Sequence, residues 1–306
     1  SKIMASTHDY EFDQRNEDIQ IYINGEFYHR DNAKISVFDS GFLLGDGVWE
    51  GIRLYKGHLV HLGEHLNRLF SGAKAIDMEI GSTKKEIAKA ILKTLKKNNM
   101  RSDVHIRLIV SRGVKKTPYQ HPRVTVGEPT LVIIPEYKKA SEEVKRKGLT
   151  IATVKTRRDH STQDPRINSL SKHNCISACV EADKLGADEG LMLDPDGFIS
   201  TCNSTNFFIV RKREVWTSTG EYCLNGVTRG CVIRLCKENH IPIFEKNFIL
   251  DDVHSADEVF VTGTFAGVIP VISVDGKNIG NGSRGNVTKD LQHWYAQDIE
   301  NLAAIE

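Results

Sequence analysis

No apolar run in this sequence is long enough to cross a bilayer, and Ser1 to Gln20 carries acidic and polar residues where a secretory leader needs an apolar stretch. The expectation is a soluble, cytoplasmic protein with no membrane partner. A surplus of either charge is missing too: 41 basic and 40 acidic side chains leave a net charge of +1, which offers no general field to nucleic acid. A small molecule is the expected partner. The six cysteines, Cys175, Cys179, Cys202, Cys223, Cys231 and Cys236, contain no C-x-x-C pair, which removes a common zinc and dithiol signature. Cys175 and Cys179 stand one helical turn apart in an apolar pattern, so buried free thiols are expected. Gly45, Gly47 and Gly51 are spaced wrongly for a dinucleotide fingerprint, and neither an internal repeat nor a low-complexity tract is found.

What is present suffices for a sizeable core: 306 residues of which 40% are hydrophobic, best divided between two domains. Ile19, Ile21 and Ile23 alternate with polar residues ahead of Asn24-Gly25, a type I′ turn signal, and Glu26-Phe27-Tyr28 returns as the second strand of a hairpin. Between Glu64 and Ile76, Leu66, Leu69, Phe70 and Ala73 fall at helical spacing, as do Ile87, Ile91, Leu92 and Leu95 further on. Val104, Ile106, Leu108 and Val110 alternate as a strand, and Thr130 to Ile134 reads as a strand buried on both faces. Residues 18–136 are thus expected to form a small α/β domain, and the charged stretch 137–148, lacking a broad apolar face, an interdomain linker. Residues 149–306 read as a larger, strand-rich domain with helices near His173 to Leu185 and Thr228 to Glu238, and turns at Asp194-Pro195-Asp196-Gly197 and Asp275-Gly276. The class predicted is α+β.

Three features invite an anion. Gly226-Val227-Thr228 precedes a helical pattern, so backbone N–H groups and the positive helix end are available to a phosphate, although a threonine cap alone would look the same. Thr262-Gly263-Thr264 ends an apolar strand in a small, hydroxyl-bearing turn suited to a nest of N–H groups. Arg68 adds a guanidinium able to grip a phosphate with two bonds, or else simply lies on a solvated helix face.

Together with other matches in order, these features resemble the class IV (fold type IV) aminotransferase family, which includes branched-chain and D-amino-acid aminotransferases and aminodeoxychorismate lyase. The matches are Tyr22-Ile23-Asn24-Gly25, Gly45-Asp46-Gly47-Val48-Trp49-Glu50-Gly51-Ile52-Arg53, Glu181-Ala182, Gly186-Ala187-Asp188-Glu189-Gly190, Gly197-Phe198-Ile199-Ser200, Asn206-Phe207-Phe208, Gly226-Val227-Thr228-Arg229, Ala256-Asp257-Glu258-Val259-Phe260 and Val274-Asp275-Gly276. The resemblance implies a two-domain fold, with a small α/β N-terminal domain and a larger pseudo-barrel C-terminal domain, and pyridoxal 5′-phosphate as cofactor. It also implies amino-group transfer between an amino acid or amine and a 2-oxo acid, in a homodimer. Carried over residue by residue, Arg68, Val227, Thr228, Gly263 and Thr264 would form the phosphate cup, and Trp49 and Arg107 would meet the substrate.

Two positions depart from the family pattern. The lysine that bonds the cofactor's aldehyde should fall at Asn168, whose amide cannot do so; Lys172, four residues on, is the nearest ammonium and is expected to take over as the catalytic residue. Thr201 stands where the family places a glutamate against the cofactor's ring nitrogen, and a neutral hydroxyl weakens the ring as an electron sink. That change keeps a lyase acting on an amino acid as an alternative, beside a degenerate fold retained for binding. His61-Leu62-Gly63-Glu64-His65 matches an inverted zinc-peptidase motif, but Gly63 inside the required helix costs about 1 kcal/mol, and no metal is expected.

Overall fold

A computed structural model describes residues 12–305; residues 1–11 of the stretch read for a leader lie outside the described residues. By contact the chain divides into two units. The first holds residues 12–139, the strip Ile167–Lys172 and residues 302–305. The second holds 140–166 and 173–301.

The N-terminal unit opens with the hairpin β1 (Gln20–Ile23) and β2 (Glu26–His29). Its turn puts Asn24 at φ 49 and Gly25 at φ 94, the left-handed pair that a type I′ turn requires. There follow α1 (Ser40–Leu44), β3 (Gly47–Tyr55), β4 (His58–Leu59), α2 (Leu62–Ala75), α3 (Lys84–Lys97), β5 (Val104–Ser111), β6 (Val114–Lys115), β7 (Thr125–Val126) and β8 (Thr130–Tyr137). A six-stranded sheet runs β2-β1-β8-β5-β3-β4. Val48, Ile52 and Leu54 of β3 join Ile106 and Leu108 of β5 in a core with Leu66 and Leu69 of α2 and Ile87 and Ile91 of α3. Thr83 and Glu86 close a capping box that starts α3. In β8, Ile133 is buried but Leu131, Val132 and Ile134 are only half-buried, contrary to the expectation of two buried faces. An apolar run alone does not prove two covered faces; here α3 packs on β8 within this unit and the outward residues keep partial exposure.

The strip Ile167–Lys172 lies along the edge of β3. Trp49 N–H donates to the Asn168 carbonyl (3.1 Å), Leu170 N–H donates to the Gly47 carbonyl (3.0 Å), and Ser169 bridges Val48. Gly47 is required by this crowding, since a Cβ there would collide with the Val110 carbonyl and stand 2.6 Å from Leu170 Cδ1. Gly47→Ala is expected to lower stability by about 1–3 kcal/mol, read as a lower urea midpoint with an unchanged slope.

In the C-terminal unit the elements are α4 (Glu142–Lys147), β9 (Leu149–Thr153), α5 (His173–Lys184), β10 (Glu189–Leu193), β11 (Ile199–Cys202), β12 (Asn206–Arg211), β13 (Glu214–Thr217), α6 (Val227–Glu238), β14 (Ile243–Glu245), α7 (Leu250–His254), β15 (Glu258–Gly263), β16 (Gly267–Val274), β17 (Lys277–Asn278) and α8 (Asn286–Ile305) up to residue 301. A nine-stranded mixed sheet runs β11-β10-β9-β16-β15-β12-β13-β14, with β17 beside β16. Phe207, Ile209, Val259, Val261, Ile269 and Val271 supply its core. The turn at Asp194 forms as its sequence dictates: Asp194 Oδ1 accepts from Asp196 N and Phe198 N, and Gly197 sits at φ 86. Within the charged stretch 137–148, Ser141 Oγ caps α4 and Val144 is buried, so part of it is helix.

Helix α5 packs through Ala178 and Ala182, close enough to β10 that a Cβ on Gly190 would lie 3.0 Å from the Ala178 carbonyl. Cys175 and Cys179 flank that stripe, which corrects the expectation of uniformly buried thiols: Cys175 is half-buried and Cys179 exposed, while Cys202, Cys223, Cys231 and Cys236 are buried. No helix among the described residues is long and apolar enough to cross a membrane.

Candidate active site

On a strand, alternate residues share a face. Trp49 and Gly51 of β3 therefore point away from Glu50, and Arg107 of β5, paired with Gly51, joins the face of Trp49. Gly51 lets the His105 ring pack on that face, because a Cβ would come within 3.0 Å of it. The Arg107 guanidinium lies 3.9 Å from the Trp49 ring centroid and Lys172 Nζ 5.2 Å from it, so the indole is in contact with two cations. Burial lowers the Arg107 pKa and the Glu136 charge opposes that shift. An arginine nevertheless stays charged.

Glu50 faces α2 and is 0% exposed, a carboxylate in the interior of an otherwise apolar strand face. It survives there through its partners: Arg68 donates from Nε to Oε2 (2.9 Å) and from Nη2 to Oε1 (2.7 Å), and His65 Nδ1 lies 2.7 Å from Oε1. Burial pushes the carboxyl up, but the His65 and Arg68 hydrogen bonds and the Arg68 charge outweigh it and hold the pKa below the usual glutamate value. His61 stands at the N-cap position of α2 in the left-handed region, without a side-chain cap, while His65 binds Glu50.

Asn168, almost fully buried, places Nδ2 3.5 Å from Glu50 Oε2, the long limit of a hydrogen bond. Its Oδ1 accepts from Lys172 Nζ at 3.1 Å. Helix α5 begins only at His173, so Lys172 is the last residue of the strip and stands directly before the helix. Among the described residues, Trp49, Glu50, Arg68, Arg107, Asn168 and Lys172 thus belong to the N-terminal unit.

Thr201, Val227, Thr228, Gly263 and Thr264 belong to the C-terminal unit. Gly226 begins the 12-residue α6 without any side-chain cap, which leaves the first N–H groups of the helix to an external acceptor. The loop before it is held by Asn206, whose Nδ2 donates to the Leu224 carbonyl (2.8 Å), and by buried Arg229, which donates to the Ser218 carbonyl (3.0 Å) and Glu245 (2.8 Å). Across the sheet Asn206 pairs with Thr262, whose buried hydroxyl has no hydrogen-bond partner among the described residues. Gly263 follows, with only Thr205 Cγ2 (3.5 Å) and the Ser204 carbonyl (3.9 Å) near where a Cβ would stand. An orphaned hydroxyl, an uncapped helix start and a strand end without a side chain fit an anion rich in acceptor oxygens.

The Thr201 hydroxyl donates to the Thr205 carbonyl (2.7 Å), which leaves only lone pairs for any other group. Fully buried Glu189 accepts from Ser204 N, Ser204 Oγ and Thr205 Oγ1, and burial raises its pKa against those bonds. The sequence motifs contain Glu50, His65, Asn206 and Glu189 without revealing their roles. For Glu50 a signal is present: an acid at a core position of a strand whose neighbours on that face, Val48, Ile52 and Leu54, are apolar.

Comparison with known proteins gives this geometry a family. The profile described as amino-transferase class IV matches residues 47–274. A putative branched-chain-amino-acid aminotransferase of Methanocaldococcus jannaschii is 40% identical over 94% of this chain and 99% of its own length. Branched-chain-amino-acid aminotransferase-like protein 2 of Arabidopsis thaliana is 39% identical over 90% of this chain but 49% of its own, so the chain spans about half the length of that relative. A solved branched-chain amino acid aminotransferase of T.th., with pyridoxamine 5′-phosphate, superposes with a TM-score of 0.87 at 30% identity, covering 94% of this chain and 95% of the other. The two-domain α+β class IV fold is thereby shown, and the chain belongs to the class IV aminotransferase family.

Proposed function

We propose that this chain is a pyridoxal-phosphate-dependent aminotransferase of branched-chain type, moving an amino group between an amino acid or amine and a 2-oxo acid. One observation carries the reading beyond family membership: an amine, Lys172 Nζ, is anchored at the end of the strip by Asn168 and Trp49 despite the missing lysine at 168. When bound, the cofactor supplies an aldehyde that takes up amines and a ring that accepts the electron pair freed at the substrate carbon.

The protein's own groups divide the remaining work. Val227, Thr228, Gly263 and Thr264 would hold the phosphate, through the uncapped α6 start and the strand end described above. Lys172 would be the amine offered to the cofactor's aldehyde, and its Nζ would hold and move a proton at the substrate carbon. Arg107 takes the substrate carboxylate beside the Trp49 wall. The relatives' names favour transfer over the lyase alternative. Borohydride reduction followed by peptide mass mapping tests the reading: the cofactor mass is expected on the peptide containing Lys172, and a holoprotein with no fixed mass there refutes it.

Thr201 is assigned to the cofactor's ring nitrogen as an acceptor without charge. Thr201→Glu is expected to shift the absorption band of the bound cofactor and its pH response, by restoring a carboxylate that favours the protonated ring. An unchanged band in the variant removes Thr201 from the ring.

A homodimer working in the cytoplasm completes the proposal. Val37 and Phe42 are 66% and 68% exposed, and Ile35, Phe38 and Leu44 lie exposed beside them in sequence, more apolar surface than a short segment ordinarily leaves to water. Phe42→Asp is expected to convert a dimer to monomer in light scattering; a monomeric parent protein, or a dimer unaffected by the change, would count against this surface.

A further inference from the structure

We infer that Asn168 is a positioning residue for Lys172, an amide spacer that aims the ammonium while keeping it off the buried Glu50 carboxylate. The inference rests on the reading of Lys172 given above.

Glu50, with both oxygens engaged by Arg68 and one by His65, is immobile and can only accept hydrogen bonds. An amide beside it must present its NH2 side, as Asn168 does at 3.5 Å. Its carbonyl oxygen is then obliged to face the other way, where Lys172 Nζ meets it at 3.1 Å. The Asn168 main chain is held as well, by the Trp49 N–H on its carbonyl. A lysine has four rotatable bonds, and here its tip is fixed between the Asn168 oxygen and the Trp49 ring.

The chemistry explains why an amide suits this place. A carboxylate touching Lys172 would form a charge-assisted bond and hold its proton; a neutral acceptor aims the same group through a weaker bond and allows the proton to leave. Asn168 thereby transmits the rigidity of the Glu50 cluster without its charge.

The test compares Asn168→Ala and the near-isosteric Asn168→Leu with the parent protein by two readouts. Competitive acetic anhydride labelling of Lys172 in cofactor-free protein reports the aim of the amine, and borohydride fixation in the holoenzyme reports its use. Both variants are expected to fix about fivefold less cofactor on Lys172, with kcat down about tenfold or more and KM for the amino donor within about threefold. Asn168→Asp is expected to move the labelling limb of Lys172 to higher pH and, by holding that proton, to lower the fixation at neutral pH. Labelling and fixation equal to the parent in both the Ala and Leu variants overturn the inference, as does an unmoved limb in the Asp variant. Absence of cofactor on Lys172 in the parent defeats the proposed function instead, and the labelling arm still decides the role of Asn168.

Discussion

Lys172→Ala is expected to abolish amino transfer, with kcat/KM falling on the order of 10⁴-fold or more, as for removal of a residue that both bonds an intermediate and moves its proton. The phosphate cup is untouched by the change, so the variant should still retain cofactor through dialysis, bound without a covalent link. A spectrophotometric half-reaction with excess amino donor measures the loss directly. Activity within tenfold of the parent would show that another group does this work. The complementary double variant, Asn168→Lys with Lys172→Ala, returns an ammonium to the strip position that the family uses. It is expected to recover activity only in part, because a lysine at 168 grows beside the Glu50 carboxylate, now 3.5 Å from the Asn168 amide, and is drawn to it.

Glu50→Gln should be the most destabilising single polar change in the N-terminal unit, at about 3–5 kcal/mol, because it leaves His65 and the partly buried Arg68 without the carboxylate that holds them. The sign of its pH dependence follows from the direction of the Glu50 shift. A carboxyl held below its unfolded value contributes stability that is fully present above that unfolded value and is lost as pH falls through the lower folded one. The gap between parent and variant should therefore be widest near neutrality and close as the pH drops below about 4. Urea titrations at three pH values measure it, and a gap that does not narrow in acid would mean that Glu50 is not the titrating group.

Much of the fold follows from local pattern. Asn24-Gly25 dictates a type I′ hairpin, and the apolar spacing along α2 and α3 announces which faces are buried. The candidate anion features are legible for the same reason: Gly226-Val227-Thr228 and Thr262-Gly263-Thr264 are contiguous, and each carries its chemistry in a few neighbouring backbone groups. The Glu50 cluster is not legible, because its members come from β3, α2 and the strip, and the Asn168 contact spans 118 residues of chain. Periodicity reports that a position faces a core; it does not name which distant polar group will neutralise it there. The stretch around Val144 is another case: a short helix there rests on one buried valine and the Ser141 cap, neither of which gives a broad apolar face.

The return of residues 167–172 to the edge of β3 governs how the protein can be taken apart. A fragment ending at residue 139 would leave the Gly47 carbonyl and the Trp49 amide hydrogen unsatisfied and would lack Asn168 beside Glu50. Any dissection that keeps the first unit intact must therefore carry this short strip with it, spliced through a designed connection, whereas simple truncation produces a piece with a raw sheet edge and an incomplete polar cluster.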